Sequence, residues 1–217
     1  MSKKNLIIGA ALLIFLGLIG WFNWFYVSGT WRYKMTVVVE TPEGIKTGYA
    51  VREIANSQIK PDLNFPHVRS YGRAHGEAVV VDMGPRGKLF ALLSNRRQGI
   101  DHYKYIFYKY FNSKINFDGI VALNKMPLGA KAILQPRDYP SLVAFKDLND
   151  PNSIVLVYDE SDVEDGTINT IEENFGVGVR LKEISVELVD DPVTHAMSKV
   201  LGKRQTVGPY YFVQGEE

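Results

Sequence analysis

An α+β fold behind an N-terminal transmembrane helix is what the sequence predicts. Three observations predict it. The apolar run Leu6–Val27 is free of charge, with Asn23 its one strongly polar side chain. Several later segments alternate apolar and polar residues between turn signals, giving about seven strand candidates joined by hairpin-type connections. About three short helical patterns are scattered among them without regular βαβ alternation, which argues for a mainly antiparallel sheet and against a doubly wound nucleotide fold.

The apolar run is long enough to matter. Its 22 residues would span about 33 Å as a helix, against a bilayer core of roughly 30 Å. Lys3 and Lys4 precede it, and Leu6 opens it. It ends on Trp21, Phe22, Trp24, Phe25 and Tyr26, ring side chains that prefer the membrane–water interface and do not suit a signal-peptidase site. These residues predict an uncleaved signal anchor. Residues 1–30 are therefore expected to form a cytoplasmic tail, anchor and short Ser28-Gly29-Thr30 linker. Residues 31–217 are expected to form one extracytoplasmic globular domain.

From Trp31 onward the elements follow in order. Trp31, Tyr33, Met35, Val37 and Val39 fall on one face of a half-buried strand, with Arg32, Lys34, Thr36 and Glu40 on the other. Thr41-Pro42-Glu43-Gly44 has turn chemistry, and Ile45–Ala55 reads as the returning strand. Gln58–Gly72 reads as a surface loop. Glu77–Met83 and Lys88–Leu93 flank the turn Gly84-Pro85-Arg86-Gly87 as a second hairpin. Asp101 is placed to cap a helix over His102–Asn112, in which Tyr103, Ile106, Phe107, Tyr110 and Phe111 recur at helical spacing. Ile115–Lys131 carries a weak pattern, and Ala132–Leu134 is short and apolar. Leu142–Phe145 and Ser153–Tyr158 read as strands around the turn Asn149–Asn152. Ser161-x-x-Glu164 resembles a capping box, and Ile168–Phe175 reads as a short helix ended by Gly176. Val179–Val189 reads as a strand with an irregularity, because Leu181 and Ile184 differ in parity. Asp190-Asp191-Pro192 is expected to open a last helix that Gly202 ends, and Val207–Val213 to add an edge strand.

Four stretches together resemble a family of uncharacterised bacterial, chiefly proteobacterial, single-pass membrane proteins. They are Trp31–Ile54, Gly76–Leu93, Tyr139–Val157 and Phe175–Pro192, about a third to two fifths of the chain. The resemblance implies an envelope domain anchored in the inner membrane and implies no activity. After Pro192 the sequence departs from the family, which often carries Leu-Pro-Trp-Leu near its end where Val200-Leu201-Gly202-Lys203 stands here.

Composition excludes several chemistries. With no cysteine among 217 residues there is no disulfide, thiol nucleophile, Cys-ligated zinc or lipidated N-terminal cysteine. With 25 Lys+Arg against 24 Asp+Glu, a generic nucleic-acid binder is disfavoured. Gly84-Pro85-Arg86-Gly87-Lys88 lacks phosphate-loop spacing and reads as a hairpin turn. His67, His75, His102 and His195 show no helical metal spacing, although His67 and His75 flank one loop with Arg69, Tyr71 and Arg73. No G-x-S-x-G occurs. The acidic stretch Asp147, Asp150, Asp159, Glu160, Asp162, Glu164 and Asp165 fails the EF-hand register and reads as solvated loops with cap carboxylates.

Arg96 and Arg97, with Tyr103, Lys104, Phe107 and Tyr108, form the candidate interaction surface. The competing and favoured reading of this helix is an amphipathic element whose aromatics face the core while its lysines snorkel. The function expected is a membrane-anchored cell-envelope protein of non-enzymatic type, in the bacterial inner membrane. Its partners would be the lipid bilayer and another envelope protein, with no nucleic acid, no cofactor and no metal. The alternatives are an envelope hydrolase or ligand-binding enzyme drawing on His67, His75, Asp82 and Asp118, and an accessory subunit of a larger membrane complex.

Overall fold

Alternation in the first strand sets up the architecture. The computed structural model describes residues 8–9, 11–17, 20, 25–60, 71–111, 114–162, 164, 166–202, 206–207 and 210–215. Within them the strands are β1 (Tyr26–Thr41), β2 (Gly44–Ile59), β3 (Tyr71–Glu77), β4 (Val79–Asp82), β5 (Lys88–Ala91), β6 (Lys131–Ile133) and β7 (Leu142–Phe145). They continue as β8 (Ile154–Asp159), β9 (Ile168–Asn169), β10 (Arg180–Val189), β11 (Thr206–Val207), β12 (Tyr210–Tyr211) and β13 (Val213–Gln214). Besides the helical residues 8–9, 11–17, 20 and 25, four short helices accompany them: α1 (His102–Phe111), α2 (Phe117–Leu123), α3 (Ile171–Phe175) and α4 (Met197–Leu201).

The strands form a six-stranded sheet in the order β13-β3-β2-β1-β10-β6, a five-stranded sheet in the order β4-β5-β7-β8-β9, and the small pair β11-β12. The pairings are antiparallel. β1 and β2 pair along their whole length, from Tyr26 opposite Ile59 to Thr41 opposite Gly44. The inward face of β1 buries Tyr33, Met35, Val37 and Val39 completely. Burial of such side chains stabilises a fold by about 1.5–3 kcal/mol each. The outward face is tied by cross-strand ion pairs: Arg32 with Glu53, Lys34 with Glu187 and Arg180 with Glu40, each between directly opposed residues.

The second sheet is covered on both faces, which is why its strands read as continuous apolar runs rather than alternations. Leu89, Ala91, Leu142 and Ala144 join the main core with Tyr33, Met35 and the α1 aromatics. Phe90, Leu92 and Val143 point the other way, into a second core closed by Met197, Leu201 and Phe212. The two sheets approach closely at Gly48, where a Cβ would lie 2.0 Å from the Val80 carbonyl oxygen. Buried Arg52 crosses the same junction, its Nε donating to the Glu77 carbonyl at 3.1 Å and its Nη2 to the Leu92 carbonyl at 3.5 Å.

The expected transmembrane helix over Leu6–Val27 is corrected by this architecture. Among the described residues no helix is long and apolar enough to cross a membrane. Tyr26 and Val27 belong to β1, paired with Ile59 and Gln58, and continuing a helix through them would forfeit those ladder bonds. Ser28-Gly29-Thr30 lies inside the same strand and is not a linker. Residues 11–17 are helical and exposed. Of the expected anchor set, Leu6, Trp21, Phe22 and Trp24 lie outside the described residues. Phe25 is half-buried, and its carbonyl accepts the Lys60 N–H at 2.8 Å. The chain is thus mostly antiparallel β in two principal sheets with short helices.

Other elements differ locally. β3 occupies part of the stretch read as a loop. Ser161-x-x-Glu164 caps no helix, because the Ser161 hydroxyl donates to Asp159 at 2.6 Å. The last helix begins at Met197, with Ala196 as its N-cap, and not at Pro192. Its free N–H groups, those of Ala196 and Met197, are taken by the Glu77 carboxylate at 2.8 and 2.7 Å. The parity break in β10 is a bulge: Val38 faces Glu183 and Val39 faces Leu181, which leaves Lys182 unopposed.

Candidate protein-binding cleft

Two sheet edges end at the same place. β6 covers β10 from Glu187 back to Ser185; Gly129 and Ala130 extend the cover to Leu188, and at the other end its last bond runs from the Leu134 N–H to the Ile184 carbonyl at 2.9 Å. The chain then turns away through Pro136, whose nitrogen carries no hydrogen to extend the ladder. Tyr139 follows, its hydroxyl hydrogen-bonded to the Ile184 backbone. Arg180–Glu183 therefore have β1 on one side and no strand on the other among the described residues. β9, the last strand of the second sheet, likewise has a neighbour on one side only.

A cleft of about 590 Å³ lies against these edges, lined by Leu181, Lys182, Asn169, Tyr139, Tyr158 and Glu160 among others. The rings of Tyr139 and Tyr158 stand 6.0 Å apart at 43°. Burial pushes the Tyr158 hydroxyl well above its ordinary range, and its hydrogen bond to Glu160 adds to the shift. It acts as a neutral donor. Glu172 and Glu173 of α3 line the cleft too, as does Val177, 82% exposed, between Gly176 and Gly178. Both glycines have positive φ, 100° and 82°, so the turn is one that other residues resist. The Gly178 N–H donates to Glu172 at 2.7 Å, and Arg86 holds the Phe175 carbonyl at 2.8 Å, which fixes the tip. Arg86 also grips Glu43, and that hydrogen bond holds the Glu43 carboxyl down to about 2. A shallower hollow of about 420 Å³ continues past Val179 and Arg180 to Thr41 and Pro42.

A smaller cleft of about 320 Å³ is lined by Glu53, His75, Glu77, Thr194 and His195. His75 Nδ1 lies 2.6 Å from the Gly215 carbonyl, and Glu77 is consumed by capping α4. Asp82 pairs with Lys88 in the β4–β5 turn, and Asp118 is exposed in the first turn of α2. His67 lies outside the described residues. The set His75, Asp82 and Asp118 is therefore not brought together. Among the described residues no three His, Asp or Glu side chains are grouped to hold a metal ion.

The expected interaction surface around Arg96 is taken apart by burial. Tyr103, Phe107 and Tyr108 are buried, with Phe107 against Trp31 at 5.7 Å and Tyr33 at 5.6 Å, so these rings present no surface. Lys104 pairs with Asp101 at 2.7 Å. Arg97 is exposed. Arg96 donates from Nη2 to the Gly166 carbonyl at 2.6 Å and pairs with buried Asp159. Burial alone would raise the Asp159 carboxyl. Hydroxyls of Ser141 and Ser161 and the N–H groups of Ser161 and Arg96 outweigh it, and the group stays ionised. Asp147, Asp150 and Asp162 each accept an N–H from two residues further on, the local satisfaction expected of loop carboxylates.

Sequence reasoning missed Tyr139, Tyr158, Glu172, Glu173 and the open edge of β10. One signal for them was visible, the parity break between Leu181 and Ile184. No family model, curated protein or solved structure matches the chain.

Proposed function

We propose that the protein is a non-enzymatic interaction module of the cell envelope, kept at a lipid surface by its apolar N-terminal stretch while its β domain binds another protein. The observation that carries this reading is the exposure of Ile8, Leu12, Leu13, Ile14, Phe15 and Leu16, each more than half uncovered. Isolated exposed apolar residues need no explanation, but a contiguous set needs a covering phase or partner. The neighbouring end of the domain suits lipid. Exposed Leu128 shares a hollow of about 260 Å³ with Thr30 and Trp31, and Tyr26, at the start of the same strand, is exposed. Exposed Lys125 is there too, next to Asn124, whose amide donates to the Ser28 carbonyl at 2.9 Å. A lysine at an anionic surface contributes about 1 kcal/mol. Phe25 adjoins β1 directly, and the apolar residues begin few positions before the domain, so lipid attachment would hold it close. The resemblance to single-pass envelope proteins points the same way.

Flotation tests the reading. The full-length chain, transferred from detergent into phosphatidylcholine–phosphatidylglycerol vesicles, is expected to rise with the lipid in a density gradient. A folded chain that stays at the bottom with the vesicles above it would overturn the reading.

A further inference from the structure

The two open edges carry an inference that rests on the reading of the domain as a protein-binding module and specifies its site. We propose that Arg180–Glu183 of β10 receive an extended peptide segment bearing basic side chains, which adds to the sheet as a strand inside the cleft of about 590 Å³.

Geometry supplies the docking line. Strands in a sheet lie about 4.8 Å apart, and β6 stops short of Arg180, Leu181 and Lys182, which line the cleft. The cleft brings Tyr139 and Tyr158 together with Glu172 and Val177 along the uncovered residues of β10. A single extended segment fits it. The bulge at Lys182 bends the strand and limits pairing here to a short segment, not a second copy's whole sheet. Tyrosine pairs give a peptide flat, amphipathic contact area at low entropic cost.

Charge selects the occupant. Glu160, Glu172 and Glu173 line the cleft. The two cations beside them are drawn elsewhere: Arg180 donates to Glu40 at 2.9 Å, and Lys182 acts on the same carboxylate. An alternating strand with lysine or arginine toward α3 meets the carboxylates of Glu172 and Glu173, which form no ion pair among the described residues, and its apolar side chains meet Val177 and the tyrosine rings.

The test uses the full-length chain in mild detergent and a fluorescein-labelled hexapeptide of alternating valine and lysine, read by fluorescence anisotropy. Two control peptides replace lysine by glutamate or methylate every second backbone nitrogen. Saturable binding is expected for the valine–lysine peptide, with both controls at least about tenfold weaker, the loss of one or two net hydrogen bonds or charge pairs. Lys182→Pro removes a backbone N–H at the bulge, at a position that faces no β1 residue, and should weaken binding about fivefold to tenfold. Glu173→Lys, an exposed change that leaves the ladder intact, should weaken it about threefold or more, with the difference shrinking at high salt. Equal binding of the methylated peptide, or unchanged affinity in both variants with unaltered circular dichroism, would overturn the proposal. So would a dimer of the chain that Lys182→Pro dissolves. Flotation does not depend on the cleft, so failure here and failure of lipid attachment are separately visible.

Discussion

Buried His102 makes the stability of this protein depend on pH in a calculable way. Its ring is fully buried, Nε2 lies 3.0 Å from the Asp138 carbonyl, and Nδ1 has no partner among the described residues. Burial pushes its pKa down from 6.5 to about 4, against a smaller upward pull from that carbonyl. The folded state therefore holds neutral imidazole where the unfolded chain already binds a proton. Stability is complete above the unfolded value, falls as pH drops through 6.5, and levels off below the folded value. Between pH 7 and pH 4.5 the difference is about 2.5 kcal/mol, nearly two units at 1.36 kcal/mol each. His102→Gln removes the titration and keeps an amide donor near the position of Nε2. Urea unfolding of both chains at the two pH values isolates the contribution from that of the carboxylates. The native chain should lose about 2.5 kcal/mol more than His102→Gln. Equal losses, or an imidazolium signal from His102 in the folded protein at pH 5.5, would refute the reasoning.

Further outcomes follow from other contacts. Glu77→Ala strips the cap from α4 and should cost about 1–3 kcal/mol in chemical unfolding, with amide exchange rising first at Ala196 and Met197. Gly48→Ala would drive a methyl against the Val80 carbonyl, so the sheets must part, and a loss of about 3 kcal/mol or outright failure to fold is expected. The Glu43 carboxyl, held to about 2 by Arg86, should remain ionised at pH 3 by carbon-13 titration, and Arg86→Gln should return it toward the ordinary carboxylate range. Its stabilising effect is present above the unfolded value and is lost as pH falls toward 2.

Much of the chain was legible where local pattern and burial agree. The Trp31-to-Val39 alternation reports β1 because one face of its sheet is wet and the other dry. The aromatics of α1 report a core-facing helix because they meet Trp31 and Tyr33 across the sheet. β10 announced its bulge through the parity of Leu181 and Ile184. What failed was information carried by distant residues. Tyr26 and Val27 looked like the end of an apolar helix because Gln58 and Ile59, their partners, looked like the start of a loop. β3 was hidden because Gly72, Arg73, His75 and Gly76 show no alternation; its place between β2 and β13 comes from its neighbours. Asp191 and Pro192 looked like a helix start, but the carboxylate that supplies one lies on Glu77, 120 positions from Met197. The cleft is least legible of all, since Tyr139, Tyr158, Glu172 and Lys182 come from four separate segments.

The most direct test of lipid attachment is extraction of native membranes with alkaline carbonate, followed by immunoblotting of pellet and supernatant. The account predicts that the full-length chain stays in the pellet and leaves it only with detergent. Quantitative release into the carbonate supernatant, with an integral membrane marker retained, would contradict it.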